Sequence, residues 1–275
     1  MMERRDFIKL AGALTATLAV DSAWAQTSKV EVLWLGQATT RLTSPSGKVI
    51  VIDPFLVNNP KTPSTYKNLD ALGQVDLILI THGHGDHTGD VRELAKRTGA
   101  KVYGPAGLIA TMIDLGWVGP DQGVRFGKGG KVNPLGPQIT ITQTRAEHSS
   151  EVTVTDPATK KTTTYPGGEP AGFIIEFENG FKFYHMGDTG LFGDMRFIAD
   201  YYKPDLIMIP IGGQFVMDPK DAAYATREML KPKYAIPIHY GTFPALKGTP
   251  QEYQTALGQT STQVFPISPG DKLTF

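Results

Sequence analysis

The stretch that decides the fold is VDLILITHGHGDHTG, residues 75–89. Its opening part, residues 75–80, is a nearly continuous apolar run, which is typical of a strand buried on both faces. Directly behind this run stand three of the six histidines of the 275-residue chain and an aspartate, all between His82 and His87. A strand that ends in such a cluster indicates an α/β fold with a functional site at the strand end.

The spacing inside this cluster would direct its side chains to two neighbouring positions in space. His82 and His84 are two residues apart, so an extended backbone directs both side chains to the same side. The glycines between the polar residues allow a tight turn, which would aim Asp86 and His87 at an adjacent point. One loop can therefore supply side chains to two adjacent centres.

Three further candidates each follow a predicted strand: His148 after 138–144, Asp188 after 181–185 and His239 after 234–238. The carboxyl ends of strands are where α/β architectures collect functional groups. A single histidine is more often a surface or core residue, but a buried cluster of imidazoles and carboxylates has no structural rationale without a cation. The pattern therefore favours a metal site built from these seven side chains.

Strand and helix patterns recur in both halves of the chain. In the first half, the apolar runs 29–35 and 48–53 flank SPSG, a hairpin signal, and residues 90–99 predict a helix that Asp90 caps and Gly99 ends. The second half offers a hairpin about Asn179–Gly180, strands at 205–211 and 234–239, and a helix at 219–230. These patterns predict an α/β protein, a four-layer αββα sandwich of two mixed sheets with helices outside.

The N-terminal residues 1–25 have the pattern of a Tat signal peptide. The pattern consists of the pair Arg4–Arg5, the apolar run 10–20 and the small residues Ala23 and Ala25. The run is too short to cross a bilayer, which takes about 20 residues. We therefore expect recognition by the Tat export machinery, cleavage after Ala25, no stable membrane span in the mature protein, and a periplasmic or extracytoplasmic location.

Composition narrows the function further. Lys plus Arg and Asp plus Glu both total 27, so no excess charge points to nucleic acid or to an acidic membrane surface as a partner. Cysteine is absent, which excludes disulfides and thiolate ligands. Any metal ion must therefore be held by nitrogen and oxygen ligands.

The motif THGHGDH with its downstream His148, Asp188 and His239 resembles the metallo-β-lactamase superfamily. Four further motifs resemble its subfamily of metal-dependent hydrolases related to ascorbate-6-phosphate lactonase: YPGGEPAGFII (165–175), YHMGDTGLFGDM (184–195), IPIGGQFVMDPKDAA (209–223) and IPIHYGTFP (236–244). The resemblance spans roughly residues 29–265. It implies the αββα metallo-β-lactamase fold, with residues 29–275 as one metallo-hydrolase domain.

The resemblance also implies the ligand sets. His82, His84 and His148 would hold one metal ion. Asp86, His87 and His239 would hold the second, and Asp188 would bridge the two. The expected cofactors are two divalent ions, zinc in the first place, with manganese, nickel and iron as alternatives.

Two motifs depart from the subfamily pattern. Gln37 stands where the subfamily usually has the histidine of a Gly-His-Ala motif after the first strand. Gly241 stands where it usually has the asparagine of a His-Tyr-Asn-Thr motif. Neither departure removes a predicted ligand; both concern groups around the ligands. A glutamine at position 37 cannot shuttle protons. Asp53 matches an early aspartate of the superfamily and either orients the histidine loop or caps the turn before a proline.

The chemistry expected from this site is hydrolysis. Two divalent ions would supply a hydroxide at neutral pH for attack on a small ester, lactone or phosphoester, including anionic substrates. Asp86 and Asp188 are the predicted catalytic residues: Asp86 would hold the attacking hydroxide and later protonate the leaving group. The alternatives are a non-catalytic, metal-stabilised binding protein and a di-iron redox protein, although the latter typically carries Glu where His84 stands.

Other residues support weaker hypotheses. His185 shares a strand face with two phenylalanines, which favours a core residue over a functional one. Four side chains in late loops could line a pocket or simply pack beneath the loops: Phe215, Met217, Tyr240 and Phe243. Three cations could contact an anion or be solvated surface charges: Lys61, Arg145 and Lys247.

Overall fold

The computed structural model describes residues 29–275, so the signal-peptide prediction for residues 1–25 lies outside the described residues. The strands of this range are β1 Glu31–Trp34, β2 Thr40–Thr43, β3 Val49–Ile52, β4 Leu77–Leu79, β5 Lys101–Pro105, β6 Gly123–Phe126, β7 Lys131–Val132, β8 Thr140–Arg145, β9 Glu151–Thr155, β10 Thr162–Pro166, β11 Ala171–Glu176, β12 Lys182–His185, β13 Leu206–Pro210, β14 Tyr234–Ile238, β15 Gln263–Val264 and β16 Lys272–Thr274. The α-helices are α1 Gly85–Thr88, α2 Val91–Thr98, α3 Ala106–Asp114, α4 Met195–Tyr202, α5 Pro219–Tyr224 and α6 Pro250–Leu257. Short 3-10 helices cover Ser64–Lys67 and Leu69–Leu72, and a π-helical segment, Ala225–Leu230, continues α5.

Most strands belong to two seven-stranded mixed sheets. The first sheet has the order β16-β1-β2-β3-β4-β5-β6, and the second has the order β15-β14-β13-β12-β11-β8-β7. In the first sheet the pairs from β3 to β6 are parallel and the others antiparallel. In the second, the pairs from β12 to β15 are parallel.

Strand alternation explains how the two sheets pack. In β1, Val32 and Trp34 belong to the core between the sheets, whereas Leu33 faces the helices on the outside of the first sheet. In β13, Leu206 likewise faces the other sheet and Ile207 faces the outer helices. Because successive side chains point to opposite faces, the central strands are buried on both faces. The predicted four-layer αββα sandwich is confirmed.

The first hairpin prediction was wrong in its partner strand. The SPSG turn joins β3 to β2, and β1 pairs antiparallel with β2 on the other side, with Val32 opposite Leu42. The sequence of β2, TRLT, contains one apolar residue, Leu42, among three polar ones. A strand this short and polar does not stand out beside the apolar runs, although Thr40 is buried.

Helix α2 begins and ends where the pattern predicted, but the predicted cap residue, Asp90, has a different role. Gly99 closes it with a φ of +69°, the left-handed conformation that glycine adopts without strain. The carboxylate of Asp90 makes no capping bond to the helix. It accepts hydrogen bonds from the backbone N–H groups of Leu56 and Val57 instead, and thereby fixes the loop after β3.

Residues 151–166 form an ordered hairpin of two strands. Strands β9 and β10 pair antiparallel in a small sheet of their own, and most of their side chains are exposed. The hairpin places Glu151 beside the loop after β4, where it meets the candidate site. No helix within residues 29–275 has the length and apolar character needed to cross a membrane.

Candidate metal centre

The seven predicted side chains converge at one end of the sandwich, beyond the carboxyl ends of β4, β8, β12 and β14. Three of them form a first donor group: His82, His84 and His148. The Nδ1 atom of His84 lies 3.0 Å from Nε2 of His82 and 3.3 Å from Nε2 of His148. All three ligand atoms lie within 4.8 Å of one another, close enough to share one metal ion.

A second donor group consists of Asp86, His87 and His239. The Oδ2 atom of Asp86 lies 3.7 Å from Nε2 of His87 and 3.5 Å from Nε2 of His239. Helix α1, which begins directly after His84, turns Asp86 and His87 toward the end of β14. This grouping is the one that the family resemblance implies for a second ion.

Asp188 lies between the two groups. Its Oδ2 atom is 2.9 Å from Nε2 of His239, 3.6 Å from Nε2 of His148 and 3.9 Å from Nε2 of His82. Its Oδ1 atom is 3.3 Å from Nε2 of His87. The carboxylate therefore faces donors of both groups, the position expected for a bridging ligand.

The buried polar atoms of the centre fit a metal ion. Nε2 of His87 and Oδ1 of Asp188 are buried and have no hydrogen-bond partner among the described residues. Unpaired buried polar atoms are costly, and here they point into a cluster composed only of nitrogen and oxygen donors. That donor set suits divalent zinc, manganese, nickel or iron.

Electrostatics inside the centre favour positive charge. Burial opposes protonation of His239, but the nearby Asp188 and hydrogen bonds to Asp188 and Asp86 outweigh it and raise the pKa of His239 to about 9. Burial likewise opposes ionisation of Asp188, yet the facing His239 and His87 hold its pKa well below the usual range. In contrast, burial and the neighbouring His87 hold the pKa of His82 well below its usual range.

Asp53 orients the histidine loop. Its Oδ2 atom lies 2.8 Å from Nδ1 of His87, and its carboxylate accepts hydrogen bonds from the N–H and hydroxyl groups of Thr81 at 2.8 and 2.6 Å. The Thr81 hydroxyl in turn lies 3.0 Å from Nδ1 of His82. The geometry decides between the two alternatives: Asp53 fixes imidazoles, as the outer partners of metal-binding histidines do.

Two contacts were missed by the sequence reasoning. Oε2 of Glu151 lies 3.0 Å from Nε2 of His84, and the hydroxyl of Ser150 accepts a hydrogen bond from the backbone N–H of Gly83. Both residues come from the hairpin beyond β8. No pattern in that Thr-rich segment signals the contacts, since they depend on how the hairpin folds back onto the loop.

Gln37 contacts the second donor group directly. Its Nε2 atom lies 2.7 Å from Oδ2 of Asp86 and 2.7 Å from Nε2 of His239. The side chain is fully buried, and its Oε1 atom has no hydrogen-bond partner. The backbone of Gln37 has a φ of +52°, an unfavourable value for a residue with a side chain. Its carbonyl accepts hydrogen bonds from the indole of Trp34 and the N–H of His239.

The sixth histidine stands apart from this cluster. His185 is fully buried, with Nε2 2.9 Å from the carbonyl oxygen of Ala38 and Nδ1 accepting the N–H of Gly187. Both ring nitrogens are thus paired within the core, in agreement with the interpretation from strand periodicity.

A cavity of about 610 Å³ opens onto the centre. Its lining consists of Phe55, His84, Gly85, Asp86, His148, Ser149, Asp188, Phe215, His239, Phe243 and Leu246. Of the aromatic and apolar candidates, Phe215 and Phe243 line this cavity, whereas Met217 is buried in the core beneath the outer helices and Tyr240 packs on Trp34. None of the three candidate cations is among its lining residues.

Comparison with known proteins places the chain in a family. Residues 48–240 match the model of the Beta-lactamase superfamily domain. The chain therefore belongs to the beta-lactamase superfamily, whose fold it shares.

Two relatives narrow the assignment. A UPF0173 metal-dependent hydrolase of Polaromonas sp. strain JS666 is 55% identical over 272 residues, which cover 97% of this chain and 99% of the relative. A UPF0173 metal-dependent hydrolase of Cupriavidus necator is 56% identical over 249 residues, which cover 90% of this chain and 86% of the relative. Within the superfamily, the chain belongs to the UPF0173 metal-dependent hydrolases.

A solved structure agrees with this assignment. Igni18, described as a novel metallo hydrolase from the archaeon Ignicoccus hospitalis KIN4/I, has 33% sequence identity and a TM-score of 0.76. The similarity covers 90% of this chain and 98% of Igni18.

Proposed function

We propose that the protein is a hydrolase that uses two divalent metal ions, zinc in the first place, to cleave a small ester, lactone or phosphoester. The observation that carries the proposal is the position of Asp188, whose two oxygens face both donor groups at 2.9–3.9 Å. A carboxylate between two sets of nitrogen and oxygen donors suits a centre of two neighbouring metal ions.

Each donor group would hold one ion. His82, His84 and His148 would bind the first, Asp86, His87 and His239 would bind the second, and Asp188 would contact both. When bound, the ions would supply an activated water at neutral pH and a positive field for a developing oxyanion.

Asp86 is suited to act on the reacting molecules. It lines the cavity and its side chain is 23% exposed, whereas that of Asp188 is 3% exposed. In the proposed reaction, Asp86 orients the attacking water by accepting its hydrogen bond and passes a proton to the leaving group. Asp188 would hold the two donor groups in their relative positions.

The non-catalytic binding protein remains the competing function. The cavity that opens onto the centre favours the enzyme, because a purely structural metal site is normally closed. Turnover of a panel of esters, lactones and phosphodiesters, lost with a chelator and restored by metal, tests the proposal. Bound metal without turnover of any member would support the binding protein, and bound iron with visible redox absorbance would support the di-iron protein.

We further propose that residues 1–25 direct the protein through the Tat machinery to the periplasm. The twin arginines and the Ala-x-Ala site support this proposal. Fractionation of cells that express the full chain, compared with an Arg4→Lys, Arg5→Lys variant, tests it. Export that is unaffected by the double substitution, or protein that stays in the cytoplasm in both cases, would contradict it.

A further inference from the structure

One wall of the cavity is apolar from its floor to its mouth. It is formed by Phe55, Phe215, Phe243 and Leu246. Phe55 and Leu246 are 8% and 3% exposed, whereas Phe215 and Phe243 are 56% and 38% exposed. The rings of Phe55 and Phe243 lie 6.3 Å apart between centroids. The wall therefore offers apolar surface both beside the metal centre and at the entrance.

The loops that carry this wall are fixed to each other. Phe215 follows β13, and Phe243 and Leu246 follow β14. A Cβ atom at Gly212, in the first loop, would collide with the carbonyl oxygen of His239 at the start of the second. The N–H of Gly248 donates a hydrogen bond to the carbonyl of Gly212 at 3.1 Å. The wall is thus held by close backbone contact.

Outside the donor groups, the cavity offers no side-chain cation to a substrate. Within residues 29–275, its lining contains neither lysine nor arginine. Arg145 is occupied by Glu147 and Asp194, at 2.9 and 3.2 Å. Apart from the donor groups, the one polar side chain in the lining is that of Ser149. A charged substituent placed against the wall would lose its hydration without gaining a partner.

We propose that the substrate is an uncharged carboxylic ester or lactone whose apolar acyl group lies against Phe55, Phe215 and Phe243. This inference rests on the proposed hydrolase function and selects one of its three substrate classes. Water adds to the carbonyl carbon, the bond from that carbon to the ester oxygen breaks, and a proton from the water passes to the departing alkoxide. The products are a carboxylate, a released proton and an alcohol.

A panel of p-nitrophenyl compounds tests this substrate class on the metal-loaded protein. The panel contains p-nitrophenyl pentanoate, mono-p-nitrophenyl succinate and bis(p-nitrophenyl) phosphate. The first is uncharged with an apolar acyl chain, the second carries a carboxylate on a chain of similar length, and the third is an anionic phosphodiester. We expect kcat/KM for the pentanoate to exceed that for either anion by about tenfold or more.

Phe215→Ala tests the wall, with Phe197→Ala as a matched control. Phe197, on α4, is 57% exposed, nearly the same as Phe215, and does not line the cavity. We expect Phe215→Ala to lower kcat/KM for the pentanoate by about tenfold and to change that for p-nitrophenyl acetate much less, because a two-carbon acyl group has little apolar surface to place against the wall. Phe197→Ala should leave both values unchanged.

The outcomes separate this inference from the proposed function. Preferential hydrolysis of the phosphodiester or the succinate ester would overturn the substrate class and leave the hydrolase intact. Equal effects of Phe215→Ala on pentanoate and acetate would also overturn it. Metal-loaded protein that cleaves no ester, lactone or phosphodiester at all would remove the hydrolase proposal and this inference with it.

Discussion

Oδ2 of Asp53 lies 2.8 Å from Nδ1 of His87, and both side chains are fully buried. This contact leaves Nε2 of His87 as the atom that faces the metal centre. The backbone of Asp53 has a φ of +49°, so the end of β3 is held in an unfavourable conformation to keep the carboxylate in place.

Asp53→Asn should weaken metal binding by about 10- to 100-fold, because an amide orients the imidazole less well than a carboxylate. Competition with a chromogenic chelator measures the affinity. Asp90→Asn is the control: Asp90 is also a buried aspartate near this loop, but it accepts backbone N–H groups and contacts no histidine. It should lower stability and leave metal affinity unchanged. Equal affinities in the two variants would contradict the role of Asp53.

Removing one histidine from either donor group should remove one metal ion. We expect His148→Ala and His239→Ala each to bind about one ion per chain where the unchanged protein binds about two, as measured by elemental analysis after gel filtration. His185→Gln changes the histidine outside the cluster and should keep both ions. A single ion in the unchanged protein would contradict the dinuclear proposal.

Gln37 should influence the second ion. Its amide lies 2.7 Å from Asp86 and from His239, and rotation of the amide by half a turn would present Oε1 as an oxygen donor. We expect Gln37→Ala to change the visible absorption of the Co²⁺-loaded protein, because coordination geometry determines that spectrum. Gln143→Ala serves as the control, since Gln143 is buried outside both donor groups and also has an unpaired Oε1. Identical spectra for the unchanged protein and Gln37→Ala would exclude a contact with the second ion.

Gly187 should be required for the position of Asp188. It has a φ of +63°, and a Cβ atom there would lie 2.8 Å from the carbonyl oxygen of Ala171 and 3.0 Å from Cβ of Thr81. Gly187→Ala should cost about 2–4 kcal/mol of unfolding free energy and lower metal occupancy. Gly180→Ala, at φ +79° in open space, should cost only about 1–2 kcal/mol and leave occupancy intact. Urea unfolding and elemental analysis of both variants measure these effects.

The architecture could be predicted because local patterns and packing agree over most of the chain. The runs that become β4, β13 and β14 are apolar enough to indicate burial on both faces, and Asn179–Gly180 marks the turn between β11 and β12. β2 escaped prediction because polar residues dominate it, and its burial follows from its neighbours in the sheet.

The convergence of the seven side chains could also be predicted, because each follows a strand whose carboxyl end lies at the same edge. The surrounding contacts could not. Glu151 reaches His84 through the fold of a hairpin, and Gln37 reaches His239 through a turn between β1 and β2. The apolar wall depends on how two loops pack, which residue spacing does not encode. The domain boundaries and the signal peptide stay predictions.

The seven predicted ligand side chains come from both sheets. His82, His84, Asp86 and His87 follow β4 of the first sheet, whereas His148, Asp188 and His239 follow strands of the second. Ions held by side chains from both sheets would cross-link distant parts of a chain that has no cysteine, as disulfides do in many secreted proteins. Resistance to unfolding would then rise with the free metal concentration, and a chelator would act on this protein as a reductant acts on a disulfide-bonded domain.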